Sequence, residues 1–381
     1  MKENSYFENE LSIINQLLSD RRNFRFLYKL SIIASFLSNL GLLVIHIPFR
    51  KKIEQDKFVA FARVGRVKEK LTKVLVNTYY IEDEIRKMNF SIFHIGPRKE
   101  RIKFILCDYV KFCKMEYKIL SDKILLENNQ KVDENTIAQY LMIRIPHAMV
   151  YKFAIEQTLA EYQKGIVFTG QMYDYYAQIE KEVCHLYNKQ LICFPHGIES
   201  TQKLPLGYSG DVFFASSQKM ANLLNNLYNT QKFLYRKKIN ERLYKVNSEI
   251  SKNLQGKVVF FTQPLMVETT KIIIRKIAQY LKSQDCVLYI KVHPLESSKD
   301  YIIENTILID NFTYAISNSL CISLVSTILL EAGFNNSEAL SIVGIVDGMR
   351  YENYPYLDQN TIPMPNSEEE VFAIIDLYLN V

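Results

Sequence analysis

Lys257-Val258-Val259-Phe260-Phe261-Thr262-Gln263-Pro264, then Val287-Leu288-Tyr289-Ile290-Lys291-Val292-His293-Pro294, then Leu320-Cys321-Ile322-Ser323-Leu324-Val325-Ser326-Thr327, are three apolar runs that each break off into polar or turn-forming residues. Runs of this length, with no polar alternation, suit strands buried on both faces. Between the first two, Ile273, Ile277 and Leu281 recur at helical spacing on one face. The pattern continues through a strand at Ile307–Ile309, a short helix, the strand Leu320–Leu324, a helix Ile328–Gly333 and a strand at Ala339–Val346. Strands that alternate with helices in this way form a doubly wound parallel sheet, and such sheets bind ligands beyond the carboxyl ends of their strands.

Working outward toward the N-terminus, Gly165–Phe168 reads as a strand followed by a turn at Thr169-Gly170. A helix follows, with Met172, Tyr176, Ile179, Val183 and Leu186 on one face, and a strand returns at Leu191–Phe194. This is a second strand-helix-strand unit with parallel pairing. The stretch Ser216–Ser251 reads as helical and polar and is expected to hold the interdomain connection, giving domains at 1–235 and 236–381. The first 150 residues are less regular: helical runs at Glu8–Leu37 and Ile81–Asn89 are mixed with short strands at Phe58–Ala62, Lys73–Val76 and Ser91–Ile95. The expected fold is α/β, with two doubly wound, Rossmann-like parallel-sheet domains facing a cleft.

Composition agrees with two globular cores: 381 residues are too many for one ordinary core, and 48% hydrophobic with 23% charged residues excludes a disordered or fibrous chain. The net charge of +6 is mild. It suits an anionic substrate and lacks the basic stripe that nucleic-acid binding requires. The six cysteines make no CxxC pair, and several lie in apolar runs, so they read as reduced core residues of a cytoplasmic protein, with no metal site expected. Leu30–Phe49 carries no charge over twenty residues, but its serines, Asn39-Leu40-Gly41 and Pro48 favour a buried helix and strand over a membrane span. Basic residues on both sides of it leave room for peripheral contact with an anionic inner leaflet.

The polar strand ends are the candidate site. After Leu191–Phe194 comes Pro195-His196-Gly197, which sets His196 at a carboxyl edge where an imidazole can take a proton from an attacking hydroxyl. A satisfied loop histidine is the competing reading. Glu199 could orient that ring, act as the base itself or be a loop charge, and Asp174 is either an alternative base or a complement to its helix dipole. His293 with Pro294, Gln263, and the hydroxyls of Ser326 and Thr327 at a helix start make a candidate phosphate site, with N-capping as an equally available role for the last two. Glu331, one turn beyond Thr327, could accept from a ribose or be a helix-face charge. His46, His94, His147 and His185 read as structural, and Asp347-Gly348 reads as a turn.

Pro195-His196-Gly197, Ile290-Lys291-Val292-His293-Pro294 and Leu324-Val325-Ser326-Thr327-Ile328-Leu329-Leu330-Glu331-Ala332 together resemble bacterial GT-B glycosyltransferases of surface polysaccharide synthesis, over residues 165–345. The layout is similar to capsule polysialyltransferases and sialyltransferases, and to teichoic-acid glycerophosphotransferases. The sialyltransferases carry an acidic motif where Pro195-His196-Gly197 stands, and the glycerophosphotransferases an Asp-Tyr where Leu324-Val325 stands, so the donor stays open. The resemblance implies that the first domain takes a glycan acceptor and the second a nucleotide-sugar donor. It implies that His293, Ser326 and Thr327 hold the donor phosphate, that His196 is the base, and that no metal or other cofactor is used. A nucleotide-sugar 2-epimerase, a glycerophosphotransferase and a noncatalytic glycan-assembly protein are the alternatives.

Overall fold

The computed structural model describes residues 6–9, 56–62, 65–80, 111–116, 144–145, 148–149, 151–152, 154–156, 158–195, 197, 199, 201, 203–246, 256–264, 266–294, 296–349, 354, 356–357 and 361–380. The Leu30–Phe49 segment, the strand expected at Ser91–Ile95, the helix expected at Ile81–Asn89 and His196 lie outside them. So do His46, His94, His147 and all but the start of the helix expected from Glu8.

Two compact units divide the chain. One holds Met1–His196 with Gln202–Tyr235, and the other holds Gly197–Thr201 with Arg236–Val381. Among the described residues no helix is long and apolar enough to cross a membrane.

The first unit is built on a six-stranded sheet. Its elements are β1 (Phe58–Phe61), α1 (Gly65–Val74), β2 (Thr78–Tyr80), β3 (Ile166–Thr169), α2 (Tyr175–Leu186), β4 (Gln190–Cys193), β5 (Val212–Phe214), α3 (Gln218–Tyr228), β6 (Phe233–Leu234) and, after the unit ends, α4 (Lys237–Tyr244). The strand order is β2-β1-β3-β4-β5-β6 and every pairing is parallel. The winding reverses between β1 and β3. Two expectations change. Lys73–Val76 is not a strand: Val67 and Leu71 are buried on one face of α1, which runs through Val74, and the pairing strand follows it as β2. The polar stretch from Ser216 also contains the edge strand β6, preceded by β5. Both are too short to stand out as apolar runs, and the sheet supplies their stability.

The second unit holds β7 (Lys257–Phe261), α5 (Val267–Ser283), β8 (Leu288–Lys291), β9 (Thr306–Leu308), α6 (Phe312–Ile316), β10 (Ser319–Ser323), α7 (Ile328–Ala332), β11 (Glu338–Ser341) and α8 (Glu368–Leu379). Its order, β11-β10-β7-β8-β9, is again all parallel. Central β7 and β10 are buried at every residue, as a sheet covered on both faces requires. From α5, Ile273, Ile274, Ile277, Ala278 and Leu281 pack into this core. The strand expected over Ala339–Val346 ends at Ser341, and Val343–Ile345 forms a 3₁₀ turn. Chain order runs β7 to β9 toward one edge and β10 to β11 toward the other, so the switch point lies between β7 and β10. In such sheets the ligand crevice opens there, at the carboxyl ends.

Candidate functional site: the carboxyl edge of the second sheet

Strand register places the site. Phe261 pairs with Lys291 and Phe260 with Ile322. Two residues beyond Phe261 and Lys291, and three beyond Ile322, the chain reaches Gln263, His293 and Val325 on three adjacent strands spaced about 4.8 Å apart. Hydrogen bonds tie these ends together. Thr262 N–H donates to Lys291 O at 3.1 Å, His293 N–H donates to Thr262 Oγ1 at 2.9 Å, and Val325 N–H donates to Gln263 Oε1 at 3.2 Å. Tyr356 OH donates to Val325 O at 2.8 Å, Ser323 Oγ to Phe261 O at 2.8 Å, and Ser341 Oγ to Leu324 O at 2.7 Å.

Gln263 is 8% exposed, and the Val325 N–H settles which of its side-chain atoms is the oxygen. Its amide nitrogen therefore remains a donor at the switch point. Ser326 Oγ accepts only a long contact, 3.4 Å, from Ile328 N–H. The Thr327 hydroxyl makes no capping bond, because Thr327 is itself helical, at φ −54° and ψ −23°. The helix expected to lend its dipole is five residues long. That is too short to sum peptide dipoles into a useful field. At this edge lie separate neutral groups, the Gln263 amide and the Ser326 and Thr327 hydroxyls, with the half-buried His293 on the other side of β7. Pro294 is exposed just beyond it.

The remaining candidates sit as follows. Glu331 N–H donates to Thr327 O at 3.0 Å, and the residue is 2% exposed, so its carboxylate lies beneath the edge. Glu199, 1% exposed, falls in the short segment that groups with the second unit. Asp174 belongs to the first unit and caps α2, its Oδ1 accepting from Ala177 N–H at 2.9 Å. His185, read as structural, has a carboxylate partner: Nε2 lies 2.7 Å from Asp211 Oδ1, and Asp211 Oδ2 accepts from Leu191 N–H at 2.8 Å. Thr262, Glu296, Tyr301 and Tyr356 were not singled out from sequence. For Thr262 a signal existed, since it is the first polar residue after β7. Among the described residues no three His, Cys, Asp or Glu side chains gather as a cation site.

No protein-family model matches the chain, and no curated protein matches it. Solved structures similar to it include the UDP-GlcNAc 2-epimerase of Methanocaldococcus jannaschii, at 10% identity and TM-score 0.43 over 85% of this chain and 92% of that one. The Neisseria meningitidis UDP-GlcNAc 2-epimerase bound to UDP-GlcNAc matches at 12% identity and TM-score 0.44, over 85% and 92%. CalG4, the calicheamicin glycosyltransferase, matches at 8% identity and TM-score 0.45, over 86% and 94%. Likenesses this slight carry no functional argument. The fold class rests on the two sheets themselves: two doubly wound, Rossmann-like α/β units in one chain.

Proposed function

We propose that this chain is a nucleotide-sugar-dependent glycosyltransferase of the GT-B superfamily, moving a sugar to a hydroxyl of a bacterial surface glycan without a metal ion. The donor sugar stays open, and CMP-sialic acid is the first donor to test. One observation carries the reading: Gln263, His293, Ser326 and Thr327, far apart in sequence, meet on one carboxyl edge at the switch point of a parallel sheet. Neutral donors and an imidazole can bind phosphate oxygens and stabilise charge on the departing nucleotide. Glu331, one turn beyond Thr327, would accept from the ribose. His196 would be the base on the acceptor hydroxyl, with Glu199 and Asp174 as alternatives, and the first unit would hold the acceptor.

The test is transfer from CMP-sialic acid and from UDP-hexoses and UDP-N-acetylhexosamines, with and without a glycan acceptor. Nucleotide release that depends on the acceptor, and on His293, is the expected result. An epimerised sugar nucleotide formed without acceptor would make the chain an epimerase, and no turnover of any donor would leave only the noncatalytic reading.

A further inference from the structure

The loop that carries His293 is held by a chain of hydrogen bonds with a single polarity. The His293 N–H can only donate, so Thr262 Oγ1 must accept it, at 2.9 Å. The one proton of that hydroxyl is then directed at Glu296 Oε2, 2.6 Å away. The other carboxylate oxygen of Glu296 accepts from Tyr301 OH. Glu296 N–H donates back to His293 O at 2.9 Å, closing the four-residue turn. Tyr301 is fully buried in the core of the second unit, so the network is anchored below. Burial first, and then the Glu296 carboxylate, push the Tyr301 phenol upward, which keeps it a donor throughout the working range.

We infer that Glu296 is a positioning residue: acting through the Thr262 hydroxyl and its own backbone N–H, it fixes the backbone of His293 and so sets where the imidazole meets a donor phosphate. This rests on the nucleotide-site reading above. The carboxylate need not touch substrate. Glu296 Oε2 takes the Thr262 proton and so leaves a lone pair of that hydroxyl for the His293 N–H.

The experiment uses the full chain and four variants: Thr262→Val, which keeps the shape and loses the hydroxyl, Thr262→Ser, which keeps the hydroxyl, Glu296→Ala, and His293→Ala. Three quantities are read in each: melting temperature, amide hydrogen exchange at residue 293 where that residue is retained, and affinity for CMP and UDP. The expected result is faster exchange at 293 and roughly tenfold weaker nucleotide binding in Thr262→Val and Glu296→Ala, with both restored in Thr262→Ser. Faster exchange with unchanged affinity, while His293→Ala loses affinity, would overturn the positioning role and leave the nucleotide site standing. A lower melting temperature with unchanged affinity would show a role in stability only, and would overturn it too. Wild-type protein that binds neither nucleotide would remove the site and the positioning role together.

Discussion

Asp174 shows how a single side chain can hold two readings until geometry separates them. Its Oδ1 caps α2 by accepting from Ala177 N–H. Asn caps about as well as Asp but cannot act as a base. Asp174→Asn is therefore expected to melt with the wild type and to keep transfer activity, while Asp174→Ala loses about 1 kcal/mol of stability. If Asp174→Asn kept its stability but lost transfer, the carboxylate would be the base. At this scale the sequence was legible in placing Gln263, His293, Ser326 and Thr327 just past the ends of apolar runs, two to four residues beyond β7, β8 and β10. It was opaque where partnership depends on distant chain, as with Asp211 beside His185 or Tyr356 beneath Val325, because spacing says nothing about a contact closed by tertiary packing.

Secondary elements follow the same division. Strands β3, β4, β7, β8 and β10 were legible as short apolar runs; β7 and β10 are buried at every residue, while β3, β4 and β8 alternate buried with more exposed positions. The short strands β5 and β6 exist because a neighbour pairs with them, through Phe213↔Phe233 and Phe214↔Leu234, and so leave little trace in sequence. Gly170, at the end of β3, shows tertiary demand fixing a residue type. A Cβ there would lie 2.2 Å from Val67 Cγ1 on α1 and 3.5 Å from Phe194 O. Gly170→Ala must push α1 from the sheet or rotate Val67, and is expected to cost about 1–3 kcal/mol, the range for overpacking. A lowered urea midpoint would check this, and Gly170→Ala with Val67→Ala should recover part of the loss. An unchanged midpoint in the single variant would mean that Val67 rotates away freely.

For the molecule as a whole, ionisation sets an upper pH limit on stability. Burial pushes the thiols of Cys113 and Cys321 up to about 12, and that of Cys184 upward as well. Groups whose folded pKa is raised contribute stability that is complete below their unfolded value, near 9 for a thiol, and is lost as pH rises toward the folded one. Lys232 acts in the opposite sense, since burial and then Lys181 lower it to about 8, so its contribution grows from pH 8 upward. Burial lowers Lys257 as well, while the buried phenols of Tyr80, Tyr301, Tyr356 and Tyr378 are raised and act with the three thiols. Stability in reducing buffer is expected to fall between pH 8 and 10, and Cys321→Val should soften that fall. A rise over the same interval would show that the two lysines dominate.

The proposed nucleotide site is the carboxyl edge of the second sheet, at its switch point. It is tested most directly by melting the full chain, and its His293→Ala variant, against CMP, CDP, UDP and GDP, since a ligand that binds only the folded state raises the midpoint by mass action. The account predicts that one nucleotide class stabilises the wild type, by about 2–3 kcal/mol at a hundredfold excess over its dissociation constant, and stabilises His293→Ala much less. No shift with any nucleotide, or equal shifts in both proteins, would contradict it.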